Sequence, residues 1–130
     1  MKTTNYEISK QLAEAGFESA INWAWVKLNG DLLRIHLSQF HLAHPKLEKI
    51  IAYDFETILE ALPRTVVLKT IPKKIYELRA WFNSNENQIG YQDFQGFRPV
   101  LTFAQQENES LADTAARLLL LLHEKNLIKF

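Results

Sequence analysis

Apolar positions along the chain change period several times, and each change marks an element. Ile8, Leu12 and Ala15 recur at spacings of four and three, which predicts a short helix over residues 6 to 15, with Gly16 suited to a left-handed C-terminal cap. From Trp23 the period becomes two. Ala24, Val26 and Leu28 alternate with Trp23, Trp25 and Lys27, the pattern of a strand with two distinct faces. Asn29-Gly30-Asp31 accepts positive φ and predicts a hairpin into a second strand, Leu32 to Leu37. Residues 38 to 52 carry no clear period and are read as a loop, with Pro45 disfavouring helix at His44.

Asp54 is placed to cap a helix from Phe55 to Leu62, with Tyr53 and Ile58 as a hydrophobic staple and Pro63 as the stop. Thr65 to Thr70 is rich in β-branched residues and reads as a strand ended by Pro72. Ile75 to Phe82 and Ile89 to Phe94 flank the polar turn NSNENQ as a second hairpin. A further strand over Phe97 to Phe103 would lie at an edge or be irregular, since Pro99 cannot donate to a ladder. Ser110 and Asp113 resemble a capping box that opens the strongest helix, Leu111 to Glu124, with Asn126 as its stop. Leucine at every position from 118 to 122 makes that helix apolar around much of its circumference, as expected of the central helix of a core. The expected architecture is α+β: an antiparallel sheet of about five strands built from hairpins, with about three helices packed mainly on one face.

Three stretches, ISKQLAEAGF, YDFETILEALP and ESLADTAARLLLLLHEKNLI, together resemble a family of small uncharacterised bacterial proteins from phages and integrated mobile elements. The resemblance spans most of the chain. It implies a mobile-element origin and an accessory role, and it brings no catalytic or ligand residues, because the family has no assigned activity.

Composition narrows the function classes. A chain of 130 residues with 47% hydrophobic and 23% charged residues is expected to fold as a single domain around one core. Fifteen basic residues balance fifteen acidic ones, so no whole-molecule field draws the protein to nucleic acid or to an anionic membrane. The chain has no cysteine, which removes disulfides and thiolate chemistry and fits a reducing compartment. MKTTNYEISKQ lacks the apolar stretch of a secretory signal, and Leu118 to Leu122 is far short of the roughly 20 residues a membrane span needs. A cytoplasmic location without membrane contact is the expectation.

The residues that bear chemistry mostly have structural explanations. His36, His41 and His44 are candidate metal ligands, but their spacing matches no established motif and no metal is expected. Ser110 is a cap, Ser9 lies on an amphipathic helix, Ser84 lies in a turn, and none belongs to a Gly-x-Ser-x-Gly elbow. Gly16, Gly30, Gly90 and Gly96 are too scattered for a phosphate loop. Glu56 and Glu60 share one helix face, where solvation explains them better than acid and base catalysis. No enzyme activity and no cofactor are expected.

The aromatic residues point elsewhere. Tyr76, Leu78, Ala80 and Phe82 form one face of their strand, which leaves Glu77, Arg79 and Trp81 on the other. With Trp23, Trp25 and Tyr91 these would line the exposed side of the sheet. Tryptophan, tyrosine and arginine dominate protein interfaces because they bury much area and keep a polar handle. The expected partner is therefore another protein or a second copy of the chain, with Trp23, Trp25, Arg79, Trp81 and Tyr91 as the surface. The alternatives are that a helix covers this side or that the tryptophans form a second small core. A further alternative is a single-stranded nucleic-acid module, with bases stacked on the same aromatics and Lys69, Lys73 and Lys74 on the phosphates.

Overall fold

The computed structural model describes residues 3–19, 23–28, 30–37, 49–68, 74–82, 86–93 and 99–130. Along these, α1 (Tyr6–Glu14) is followed by β1 (Trp23–Leu28), β2 (Asp31–His36) and β3 (Lys49–Ile51). Then come α2 (Phe55–Ala61), β4 (Thr65–Leu68), β5 (Lys74–Phe82), β6 (Asn87–Asp93), β7 (Pro99–Ala104) and α3 (Leu111–Glu124). The class is α+β, as the periodicity implies. The strands, however, form two antiparallel sheets rather than one sheet of about five strands: β2-β1-β3 and β4-β5-β6-β7.

Local chemistry explains the element ends. The Asn5 side chain accepts the Ile8 amide at the start of α1, and Asp54 accepts the Thr57 amide at the start of α2. Gly16 at φ +91 closes α1, where the Phe17 amide reaches back to the Leu12 carbonyl at 2.9 Å. Asn126 at φ +59 does the same for α3, with Leu127 donating to Leu122 at 2.9 Å. The capping box of Ser110 and Asp113 is present in both directions.

Within the segment read as a loop, residues 49 to 51 pair with β1 as a third strand: Lys49 to Ile51 lie opposite Val26 to Ala24. Three residues are too few for periodicity to reveal a strand. The rest of that segment lies outside the described residues, apart from Ala52, which is buried.

The core is one cluster in which α3 contributes Ala115, Ala116, Leu118, Leu119 and Leu122. Leu12 of α1, Ile58 of α2, Val66 of β4, Tyr76 of β5 and Ile89 and Tyr91 of β6 meet them. Helices therefore cover one face of the second sheet. Removing any one of the fully buried leucines of α3 would cost about 2–5 kcal/mol through lost transfer energy and the cavity left behind.

A buried polar seam ties the N-terminal segment to this core. Thr4, with no exposed surface, donates its amide to the Tyr53 carbonyl at 2.7 Å. Its hydroxyl lies 2.6 Å from the Ser9 hydroxyl and accepts the Tyr53 amide at 3.0 Å. Asp113 accepts the Asn5 amide at 2.7 Å and the Ser110 amide at 3.2 Å, so one carboxylate serves the starts of α1 and α3.

Candidate interaction surface

The aromatic residues expected on one open side divide between the two sheets. Ala24 and Val26 are buried, as the alternation of β1 requires, and the tryptophans lie on the opposite face of the strand. That face is built into the fold. The Trp25 indole donates to the Thr4 carbonyl at 2.9 Å, and Arg34, its cross-strand neighbour, donates to the Thr3 hydroxyl at 3.1 Å. Trp23 meets His36 edge to face with centroids 5.3 Å apart, and the Arg34 guanidinium stands over Trp23 at 5.4 Å. Trp23 and Trp25 are both partly buried, and Trp25 with Arg34 holds the N-terminal segment against β1.

Tyr91 is a correction. It is fully buried, because it lies opposite Leu78 in the β5–β6 register and so shares the core face. Its hydroxyl donates to the Pro63 carbonyl at 2.7 Å, which satisfies the one polar group a buried tyrosine brings. Burial pushes its phenol far above the ordinary value.

Arg79 and Trp81 do lie on the outer face of the second sheet. β5 places Ile75, Glu77, Arg79 and Trp81 on that side by alternation, and the register brings Val67 beside Ile75 and Gln88 beside Trp81. Ile75 is 52% exposed and Val67 46% exposed, a pair of β-branched side chains open to solvent. Arg79 and Glu77 form an ion pair at 2.8 Å along the middle of the strand. Sequence reasoning passed over Val67 and Ile75. In an unbroken apolar run such as Val66 to Leu68, only the pairing shows which valine faces out.

Of the lysines proposed to contact phosphates, Lys74 faces Asp93 at 3.9 Å, and Lys69 and Lys73 lie outside the described residues. His36 packs on Trp23, while His41 and His44 also lie outside the described residues. No described helix is long and apolar enough to cross a membrane.

The densest polar cluster stands away from this surface. Arg117 of α3 grips Glu109 with two bonds of 2.7 Å, donates to the Ala104 carbonyl at 2.9 Å and stands over the Phe103 ring at 4.6 Å. Burial alone would raise the Glu109 carboxyl. Hydrogen bonds from Arg117, the Gln106 amide and the Thr114 hydroxyl, with the charge of Arg117, hold it below its ordinary value. Both Glu109 carboxylate oxygens are engaged within the fold, and the cluster pins β7 to α3.

Comparison with protein-family models, with curated proteins and with solved structures found no match.

Proposed function

We propose that the protein is a non-enzymatic accessory protein of phage or mobile-element origin that acts by binding another protein or a second copy of itself. The observation that carries the reading is the outer face of the second sheet, where Val67, Ile75 and Trp81 flank the Arg79–Glu77 pair. Exposed β-branched side chains and a half-buried tryptophan around a central ion pair give a surface that gains by losing water and has a charge pattern to orient its partner. The mobile-element origin rests on the resemblance of the three stretches quoted above.

Two measurements test this. Light scattering on eluting protein across a hundredfold range of concentration reads self-association. Capture from nuclease-treated host lysate reads a different partner. An Ile75→Lys, Trp81→Ala variant should lose whichever complex is seen, while its thermal midpoint stays close to that of the native chain. A monomer at every concentration with no partner dependent on these residues would overturn the reading, and a partner lost on nuclease treatment would favour nucleic acid.

A further inference from the structure

β5 is longer than the strand beside it. β4 begins at Thr65, opposite Glu77, so Arg79 to Phe82 have β6 on one side and no described strand on the other. Alternation in an antiparallel ladder fixes which backbone groups face that open side. The Leu78 amide donates to the Arg64 carbonyl at 2.8 Å, so Leu78, Ala80 and Phe82 turn their backbone toward the β4 side, and Arg79 and Trp81 turn theirs toward β6. Among the described residues, the Ala80 amide and carbonyl and the Phe82 amide therefore have no backbone partner and form a short edge. Ala80 is exposed and Phe82 is 59% exposed, so this edge is open to solvent.

Beside the edge, α2 and β5 enclose a groove of about 500 Å³. Leu59, Leu62, Leu78 and Ala80 give it an apolar lining, with Arg64 and Arg79 as its cations and Glu60 as its acid. Arg79 already pairs with Glu77, whereas Arg64 is exposed and has no carboxylate in ion-pair range among the described residues. α2 is capped at Leu62 and β4 begins only at Thr65, so β4 stops short of covering the edge.

We infer that this edge is a docking site for an extended peptide segment of a protein partner, which adds to β5 as a strand in line with β4. The amides and carbonyl at a strand edge are complementary to another strand, and main-chain pairing is how such edges hold peptides. Alternate side chains of the peptide would fall into the groove, where apolar residues match Leu59 and Leu62. An acidic residue would face Arg64. The inference rests on the protein-binding reading above and specifies the form of the partner, at a site beside the outer sheet face that shares Arg79 with it.

The test begins with amide exchange on the native chain. The Ala80 and Phe82 amides should exchange at rates close to those of open chain, and those of Arg79 and Trp81 should be protected at least a hundredfold more. A displayed library of random heptapeptides is then selected against the native protein, with Ala80→Pro as counter-target. That variant deletes only an amide that points away from β6. Selected peptides should alternate apolar with polar residues, carry Asp or Glu, protect the Ala80 and Phe82 amides, and bind Ala80→Pro at least tenfold more weakly. Arg64→Glu, a surface change, should weaken them several-fold and remains informative if the proline variant folds poorly. Protection of Ala80 and Phe82 without peptide, no enrichment over the counter-target, or protection that grows with protein concentration alone would overturn the inference, the last by assigning the edge to a second copy. A lysate partner kept by Ala80→Pro and lost by Ile75→Lys would overturn the edge alone and leave the sheet-face reading standing.

Discussion

Arg117→Met would show how far one ion pair holds β7 to α3. The substitution keeps a long side chain against Phe103 but removes the two bonds of 2.7 Å to Glu109 and the bond of 2.9 Å to the Ala104 carbonyl. Glu109 would be left with only the Gln106 amide and the Thr114 hydroxyl as donors, in a site where 12% of its side chain is exposed. A hydrogen bond to a charged group is worth about 1.5–3 kcal/mol, and a buried pair broken on one side costs about 3–5 kcal/mol. Arg117 retains 22% exposure, which screens part of the effect, so the expected loss at pH 7 is about 2–3 kcal/mol.

The pH dependence gives the sharper test. The folded-state pKa of Glu109 is depressed, so its contribution is fully present above the unfolded value of about 4.3 and is lost as pH falls through the folded value. In the variant, burial is opposed only by the Gln106 and Thr114 hydrogen bonds and the carboxyl protonates earlier. Urea unfolding of both chains should therefore show the full gap at pH 7 and a gap at least halved near pH 3. An equal gap at both pH values, or one below about 0.5 kcal/mol at pH 7, would refute the assignment, since an exposed and screened pair behaves that way.

Other changes separate backbone, hydroxyl and cap effects. A methyl group at Gly90 would stand 2.7 Å from the Thr102 Cα and 2.9 Å from the Leu101 carbonyl oxygen, so Gly90→Ala should cost about 2–3 kcal/mol by urea unfolding. Tyr91→Phe removes the donor to the Pro63 carbonyl and should cost about 1 kcal/mol at pH 7. The raised folded-state pKa of Tyr91 leaves its contribution intact below the unfolded value of about 10 and lost as pH climbs beyond it. The phenylalanine variant should thus lose less stability than the native chain between pH 9.5 and 11. Asp113→Ala strips acceptors from the Asn5 and Ser110 amides, and should cost about 2 kcal/mol and raise amide exchange at Asn5 as well as at α3.

Elements with strong local signals were legible in the sequence. The caps at Asp54 and Ser110, the Gly16 and Asn126 stops, the alternation of Trp23 to Leu28 and the leucine run of α3 all act through neighbours a few residues away. What could not be read depends on distant partners. The division into two sheets, the pairing of Lys49 to Ile51 with β1 and the bond from Trp25 to Thr4 are tertiary choices with no periodic trace. The side taken by Tyr91 followed from its register against Leu78, and a shift of one residue reverses every such assignment. The same reasoning placed Arg79 and Trp81 on the outer face, because nine residues of β5 give alternation enough length to register. The edge at Ala80, which no described strand pairs, had no signal at all, since it arises where β4 begins short of the end of β5.

The most direct test of a protein-binding role for the second sheet is site-specific photocrosslinking in host cells. A photoreactive phenylalanine analogue at position 75, on the outer face, is compared with the same group at position 56, an exposed site on α2. A discrete crosslinked species from position 75, absent from position 56 and reduced by Trp81→Ala, is the result this account predicts. Equal, diffuse labelling from both positions would contradict it.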